Sequence, residues 1–280
     1  LGSIFSGNST NNVYVLNKNL ERTGAVTGIA PGEHIYSARF VGDRAYLVTF
    51  KKVDPFFVLD MSNASSPKIL GQLKIPGFSD YLQPYDSTHV LGFGKEALTD
   101  EAAVEERGLD FAWYQGLKIA MFDVSDVKNP KELHKVSIGD RGTNSDVLTN
   151  PKALLFDKEK GLLALPVTLA ELPESVKNDP NANLSAYGEY VYQGAYVYDV
   201  SIKDGFKLKG KITHYDDEEV AKKAGSYWYG AKDIKRILYI GDTLYTVSPQ
   251  VVQANKLSDL AKVADVILRG VTEQQWYWIY

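Results

Sequence analysis

Apolar and polar positions along the chain follow one pattern that returns several times. Residues 56–77, FFVLDMSNASSPKILGQLKIPG, form an apolar run closed by Asp, then a polar turn, then a second apolar run. The pattern returns at 119–139 as IAMFDVSDVKNPKELHKVSIG and more loosely at 195–212 as AYVYDVSIKDGFKLKGKI. Runs rich in β-branched and aromatic residues, bounded by Asp, Asn, Ser and Pro, are typical of β-hairpins. Each copy is therefore predicted to be two strands joined by a turn.

Three aspartates occupy the same place in the three copies: Asp60, Asp123 and Asp199. An Asp carboxylate in such a turn accepts a hydrogen bond from the backbone amide two residues on. In the first two copies Pro67 and Pro130 also keep the turn separate from the second strand. Calcium-binding loops need a central Gly and a distal Glu, which are missing here. The pattern predicts structural turns and no metal site.

A second hairpin with a tight turn precedes each of these copies and also lies near the end of the chain. The four hairpins are residues 37–50, 80–94, 152–167 and 235–248. Together the two kinds of hairpin make a four-stranded antiparallel unit that repeats at about 40 to 45 residues, which is typical of propeller blades. The predicted fold class is all-β, a β-propeller of four-stranded antiparallel blades.

The repeats divide the chain into a mobile polar lead over 1–12 and a single propeller domain over 13–268. This domain is predicted to hold a half blade and four blades, about four and a half in all. The half blade covers 13–29, and the blades cover 34–76, 79–138, 147–212 and 234–268. An unpaired half blade leaves an exposed strand edge, which proteins avoid. Either further sequence completes the ring, or the aromatic tail 269–280 supplies a ring-closing strand.

The repeats also resemble known families. The runs VLDMSNASSP and FDVSDVKNP resemble the LVIVD-type repeat of surface-layer and secreted propellers. The longer stretch from NNVYVLN to ILYIGDTLYTVS, about residues 11–268, resembles a family of secreted archaeal and bacterial proteins with a C-terminal β-propeller distantly related to WD40. This resemblance implies a secreted or surface-attached protein without established catalytic residues. It also implies a missing N-terminal part of the same protein, or another copy, as a partner.

Composition narrows the function classes. With 280 residues, 44% of them hydrophobic, the chain is large enough to bury a core as one domain. A net charge of −4 argues against a nucleic-acid partner. The chain has no apolar run long enough to span a membrane, and the absence of Cys excludes disulfides and thiolate sites. The sequence indicates no cofactor, and it leaves a structural cation such as calcium open.

Three long insertions interrupt the repeat, at 95–116, 168–194 and 215–233. The first two join the second and third strands of a blade, and the last joins one blade to the next. In a propeller these two kinds of connection emerge on the same face. The three insertions are therefore predicted to share one face. Loops on a rigid scaffold are where repeat folds place their binding surfaces.

Each insertion ends in aromatic residues. The candidate ligand-binding rings are Trp113, Tyr114, Tyr190, Trp228 and Tyr229, with Trp113 and Trp228 the first choices for exposed rings. Rigid rings offer contact area to a partner at low entropic cost. Long loops also use such rings to pack onto their own scaffold. Both interpretations stay open for these residues.

Three charged residues near the starts of the first strands are further candidates: Asp80, Arg141 and Asp146. Asp80 and Asp146 each follow a Ser where the chain enters a first strand. Such residues form hydrogen bonds in turns and at blade edges, and they also suit a cation or a small polar ligand. The sequence leaves both roles open.

Catalytic motifs are missing, so no catalytic residue is predicted and a non-enzymatic role is favoured. The chain lacks GxSxG, HExxH, a phosphate-binding loop and GxGxxG. The predicted function is an extracellular or cell-surface module that binds or scaffolds a glycan or protein partner through the face with the insertions. A carbohydrate-active hydrolase or lyase is one alternative, because paired carboxylates leave no spacing in sequence. A structural surface-layer component is another.

Overall fold

Short strands joined by tight turns make up nearly all of the computed structural model, which describes residues 9–50, 53–98, 113–177, 179, 185–217 and 230–268. The strands are β1 (Asn11–Leu16), β2 (Arg22–Ile29), β3 (His34–Val41), β4 (Arg44–Phe50), β5 (Val53–Asp60), β6 (Lys68–Pro76), β7 (Phe78–Pro84), β8 (His89–Leu98), β9 (Trp113–Asp123), β10 (Lys131–Ile138), β11 (Leu155–Asp157), β12 (Leu162–Glu171), β13 (Glu189–Ser201), β14 (Gly205–Ile212), β15 (Arg236–Ile240), β16 (Thr243–Val247), β17 (Val251–Lys256) and β18 (Lys262–Ile267). Two 3-10 turns (Asp146–Leu148 and Pro151–Ala153) and the short helix α1 (Glu174–Lys177) complete the described elements.

The strands pair in chain order. β1 and β2 form a two-stranded sheet, and β3–β6, β7–β10, β11–β14 and β15–β18 form sheets of four. The predicted four-stranded antiparallel units and the predicted half unit are thus confirmed. No helix in the described ranges is both long and apolar enough to cross a membrane.

The chain divides into two compact units. The first contains β1 to β8 and most of β9 and β10, and the second contains β11 to β18 together with residues 115–117 and 136–138. Each unit has its own apolar core. Such a division follows from repeated sheets, because each sheet mainly contacts its neighbours in sequence.

Aromatic stacking between consecutive sheets organises the core of the first unit. The Phe56 ring of β5 lies 5.7 Å from the Tyr46 ring of β4 and 4.9 Å from the Phe122 ring of β9, measured between ring centroids. Phe56 and Phe122 are each 1% exposed. Aromatic pairs at these distances add to the stabilisation that burial of their apolar area gives. The sheets β3–β6 and β7–β10 therefore pack face to face through these rings.

Smaller aliphatic residues fill the core of the second unit. Its cluster consists of Leu162, Ala164, Ala195, Val197, Ile212, Ile234, Ile237 and Leu244. On β12 and β13 the alternate positions Ala164 and Val197 are opposite each other in the strand register, so they share one face of the sheet. That face packs against β15 and β16.

A glycine on the last strand of three sheets lets the next sheet approach. A Cβ atom on Gly24 of β2 would lie 2.3 Å from the Ala64 carbonyl oxygen, and one on Gly71 of β6 would lie 2.1 Å from the Val127 carbonyl oxygen. Gly210 holds the matching place on β14, where a Cβ atom would meet only the Leu260 side chain, at 2.9 Å. The turn between third and fourth strands of each following sheet occupies this space.

The predicted aspartate turns are confirmed in two copies and wrong in the third. Asp60 Oδ1 accepts hydrogen bonds from the Ser62 amide at 3.0 Å and from Ser62 Oγ at 2.6 Å. Asp123 Oδ1 accepts one from the Ser125 amide at 2.8 Å. In the third copy β13 continues past Asp199 as far as Ser201.

The third turn closes by a different hydrogen bond. Ser201 pairs with Gly205 in the strand register, and Ser201 Oγ accepts a hydrogen bond from the Asp204 amide at 2.9 Å. The Asp199 carboxylate takes no part in the turn and instead lies 3.6 Å from Lys209 Nζ. The third turn is also shorter, because the strands stay paired up to Ser201 and Gly205, whereas in the first copy the pairing ends at Asp60 and Lys68.

Strands extend into the predicted insertions. β8 continues to Leu98, and β12 and β13 stay paired out to Glu171 and Glu189. The short helix expected near residues 98–106, the tail 269–280 and most of the third insertion lie outside the described residues.

Candidate functional site

In the first unit, three rings form a cluster where β3, β7 and β9 begin. We call Tyr36, Phe78 and Tyr114 the aromatic cluster. The Phe78 ring lies 4.5 Å from that of Tyr36 and 4.9 Å from that of Tyr114, the second pair edge to face. The Tyr36 and Tyr114 hydroxyl oxygens are 3.1 Å apart and share a hydrogen bond. Phe78 is buried while Tyr114 is 39% exposed, so one ring presents a surface that the other two hold in place.

The neighbouring candidate rings differ in their placement. Trp113, the first residue of β9, is half-buried. Trp228 and Tyr229 lie outside the described residues. Tyr190 is half-buried on β13, opposite Ala170 of β12. Among the described candidate rings, Tyr114 therefore offers the most accessible surface.

Asp80 lies two residues after Phe78, beside a lysine that sequence analysis missed. The register of β7 and β8 shifts between Ser79 and Tyr81, which places Asp80 in a bulge, and Lys95 of β8 is opposite Phe78. Burial raises the pKa of Asp80 to about 6, and the Lys95 ammonium offsets part of the rise. Burial also lowers the pKa of Lys95 to about 8, against the effect of Asp80. A β-bulge next to a functional site commonly changes the direction of a side chain, and burial of a charged group shifts its pKa towards the neutral form.

Two buried polar atoms, one of them on the residue before Asp80, have no hydrogen-bond partner in the described part of the chain. They are Ser79 Oγ and Arg39 Nε. Arg39 also lies close enough to Tyr81 to oppose the rise that burial gives the Tyr81 pKa. A carboxyl group with a raised pKa among unsatisfied polar atoms marks a functional-site candidate. Neither Arg39 nor Lys95 carries a sequence motif that would have identified it.

In the second unit, Arg141 lies over an exposed tyrosine. Its guanidinium carbon is 4.4 Å from the Tyr187 ring centroid, and its Nη2 donates a hydrogen bond to the Tyr187 hydroxyl at 3.3 Å. The Gly188 amide donates to the Arg141 carbonyl oxygen at 2.7 Å, which fixes the two segments together. Tyr187 is 66% exposed. It is a candidate that the sequence predictions did not include, although it lies within the second insertion.

Asp146 belongs to a separate network of charged side chains. It begins a 3-10 turn that Ser145 caps, and its carboxylate lies 3.4 Å from Lys235 Nζ. Lys235 Nζ is also 3.9 Å from the carboxylate of Asp233, a buried residue that accepts a hydrogen bond from the Tyr215 hydroxyl at 2.6 Å. Buried charges need such partners, so this arrangement holds the segment before β15 in place. It does not bring Asp146 into contact with Arg141.

No group of three or more His, Asp or Glu residues with metal-binding geometry occurs among the residues that the structure describes. The geometry instead offers planar rings with a charged or hydroxyl neighbour, Tyr114 in one unit and Tyr187 in the other. Such surfaces bind partners by contact and hydrogen bonding.

The comparison with protein families agrees with this architecture. A beta propeller domain model matches residues 5–260. The chain belongs to this family. The sheets β3–β6, β7–β10, β11–β14 and β15–β18 are therefore propeller blades, and β1–β2 is the half blade.

The propeller also has longer archaeal relatives. It is 32% identical over 259 residues to an uncharacterised protein of Archaeoglobus fulgidus, covering 92% of this chain and 32% of that protein. It is 38% identical over 162 residues to the uncharacterised protein MJ1554 of Methanocaldococcus jannaschii, covering 58% of this chain and 23% of that protein. The chain thus spans about a third or less of the length of these relatives.

The solved structures that match are less similar to this chain in sequence than these two relatives are. AztD of Citrobacter koseri matches with a TM-score of 0.44 and 12% identity over 93% of this chain and 57% of AztD. The β-propeller domain of Cps50 (Swd1) from Myceliophteria thermophila matches with a TM-score of 0.40 and 10% identity over 92% of this chain and 68% of that domain.

Proposed function

We propose that this propeller is an extracellular binding module that holds a cell-surface glycan against an exposed tyrosine of the first unit, Tyr114. The observation that carries the proposal is the aromatic cluster, in which Phe78 and Tyr36 hold the exposed Tyr114 ring in one orientation. A ring that is already ordered before binding loses little conformational entropy when a partner arrives.

The chemistry of Tyr114 suits a sugar. A tyrosine ring combines an apolar face with a polar hydroxyl at its edge. A pyranose likewise has an apolar CH face and hydroxyl groups around its rim. Tyr114 is accessible to such a ligand at 39% exposure, and its hydroxyl is already oriented by that of Tyr36.

The Arg141–Tyr187 pair offers a second contact of the same kind in the other unit. The guanidinium group covers one side of the Tyr187 ring at 4.4 Å and contributes N–H donors beside it. Arginine next to an aromatic ring is well suited to hydroxyl or carboxylate groups of a ligand. Secretion itself is supported by the resemblance of the repeats to surface-attached propellers.

A glycan array and a pull-down with cell-wall polysaccharide would test the proposal, using the wild type, Tyr114→Ala and Tyr187→Ala. We expect each substitution to weaken binding by about tenfold, as the loss of a central aromatic contact does. Tyr14→Ala is the matched control, because Tyr14 of β1 is 50% exposed and has Arg22 5.7 Å from its ring centroid. Wild-type binding that survives both substitutions would contradict the proposal, as would an equal loss in the control.

One observation favours a second function, a carbohydrate-active hydrolase or lyase. A carboxyl group with a pKa of about 6, such as Asp80, is suited to exchange protons near neutral pH. Release of reducing ends or unsaturated products from a polysaccharide panel would test it. Activity that disappears in Asp80→Asn, with Asp86→Asn as a control on the same hairpin, would favour the enzyme over the binding module.

A further inference from the structure

A cleft opens between the two blades of the second unit, at the end of β12 away from Tyr187. Its volume is about 420 Å³, within the range of small-molecule sites. Leu162 begins β12 in this cleft, whereas Glu171 ends the strand beside the segment that carries Tyr187. A ligand here would be separate from the one proposed for the exposed tyrosines.

The altered turn of the third repeat gives this cleft one of its charges. Asp60 and Asp123 use their carboxylates inside their own turns, whereas the Asp199 carboxylate does not and lines the cleft. It is paired with Lys209 of β14 at 3.6 Å. The two charges of the pair balance each other, and the pair remains accessible to solvent, because the Asp199 side chain is 58% exposed.

Two further charges of opposite sign line the cleft without forming an ion pair with a described residue, although the Lys160 ammonium, after the hydrogen bond from Tyr239, helps to lower the pKa of Asp157. Lys160 Nζ lies 5.2 Å from the Tyr239 ring centroid, and Tyr239 in turn donates a hydrogen bond to Asp157. The Asp242 carboxylate forms neither an ion pair nor a hydrogen bond with any described residue. The lysine and the aspartate come from matching turns of adjacent blades, β11–β12 and β15–β16. The cleft therefore offers one cation and one anion to a ligand.

The base of the cleft is apolar, and a hydrogen bond holds the turn that carries Leu257 in one conformation. Leu162 is 3% exposed, and Leu257 packs partly buried against the same core. The turn that carries Leu257 holds Leu260 at a φ of 61°, an unfavourable conformation for leucine. The buried Asn255 stabilises it by donating a hydrogen bond from Nδ2 to the Leu260 carbonyl oxygen at 2.7 Å. Backbone strain that a buried side chain maintains is common in binding sites.

From these observations we propose that the cleft binds a small zwitterion, an amino acid or a dipeptide with an apolar side chain. Lys160 would receive the carboxylate of the ligand, Asp242 would receive its ammonium group, and the apolar side chain would contact Leu162 and Leu257. Because the cleft is open to solvent, each ion pair contributes modestly, and both are needed for specificity.

Titration with glycyl-leucine, followed by chemical shifts of the backbone amides, would test this proposal. We expect saturable shifts confined to the cleft, and roughly fivefold weaker binding in Asp242→Asn and in Lys160→Gln. N-acetyl-glycyl-leucinamide, which lacks both charges, should bind more weakly still. Asp43→Asn is the matched control, because Asp43 follows Gly42 at φ 55° just as Asp242 follows Gly241 at φ 57°.

Three results would overturn the proposal. One is the absence of saturable shifts up to about 50 mM dipeptide, since a specific site of this volume binds more tightly. Another is equal binding of the neutral analogue, which would leave the two charges without a role. A third is an equal effect in Asp43→Asn. Loss of glycan binding in the tyrosine variants would not affect any of these readouts, so the two proposals fail separately.

Discussion

Asp123 and Asp199 occupy the same place in two copies of one repeated sequence, and they have different partners. Asp123 accepts the Ser125 amide hydrogen bond and holds its own turn closed. Asp199 is released from its turn, because β13 continues to Ser201, and it pairs with Lys209 on the next strand. The backbone of the blade tolerates the change. A repeat can thus keep its fold while one copy exposes a carboxylate that the others use internally.

The fourth-strand glycines show the same contrast. Gly71 faces the backbone of the next turn, whereas Gly210 faces only the end of the Leu260 side chain. Two turns of the second unit therefore differ from those of the first. The β13–β14 turn is not closed by its aspartate, and the β17–β18 turn contacts the previous blade through a side chain and not through its backbone.

The largest effect is expected from Gly71→Ala. A Cβ atom 2.1 Å from the Val127 carbonyl oxygen has no room unless the backbone moves. Forced backbone shifts of this kind destabilise a protein by about 3 kcal/mol. Urea unfolding of the variant would measure the change in the free energy of unfolding.

Gly210→Ala is its matched partner, since the flexible Leu260 side chain can rotate away from the new methyl group. We expect a loss of about 1 kcal/mol or less. Equal losses at Gly71 and Gly210 would show that the two turns pack alike.

A pH-dependent difference between the units is the next largest. In the second unit His214 forms hydrogen bonds through both ring nitrogens, Nδ1 with Ser248 Oγ at 3.0 Å and Nε2 with Thr246 Oγ1 at 2.8 Å. Burial, and then the Lys262 ammonium, lower its pKa to about 4 from a reference of 6.5. Above pH 6.5 the ring is neutral in the folded and unfolded states alike. As the pH falls from 6.5 to 4 the unfolded state takes up the proton first, so stability is lost in that window.

After allowance for the partial exposure of His214, the expected loss between about pH 7 and about pH 4 is about 2 kcal/mol. Hydrogen exchange of the β14 and β16 amides at both values would follow it. His214→Gln keeps a neutral hydrogen-bonding side chain and should flatten the dependence. A variant as acid-sensitive as the wild type would place the cause in another group.

The Asp86 carboxylate of the first unit should respond at lower pH. His89 lies 2.9 Å from the Asp86 carboxylate. Desolvation raises the Asp86 pKa, but hydrogen bonds from the Thr88 amide and from His89 outweigh it and lower the pKa to about 2. Stability from this carboxylate is present above its reference value of 3.8 and is lost as the pH falls through 2. Exchange at the β7–β8 hairpin should therefore stay slow at pH 4, where that of β14 and β16 has increased.

The fold was predictable from sequence because it depends on patterns that every copy repeats. Alternating apolar runs and turn residues set the strands, and their spacing set the four-stranded unit. The glycines at 24, 71 and 210 are a further signal, which becomes meaningful only when the next blade is seen to pack on them.

The candidate sites were less predictable because they depend on neighbours from other strands. Tyr114 was identified from its insertion, but its support by Tyr36 and Phe78 joins three strands. Tyr187 gains its role from Arg141, which lies far from it in sequence. Lys95 alters the Asp80 pKa through strand register, and no motif marks a register.

The smallest expected effect separates the two aspartates directly. Asp123→Ala removes the acceptor for the Ser125 amide and should destabilise the first unit by about 1 kcal/mol, a modest value because the turn is exposed. Asp199→Ala removes only a solvent-exposed ion pair with Lys209, so its effect should stay within about 0.5 kcal/mol. Paired urea titrations would measure both. A larger loss at Asp199 than at Asp123 would mean that the third copy still depends on its aspartate, and the carboxylate would then be unavailable to a ligand in the cleft.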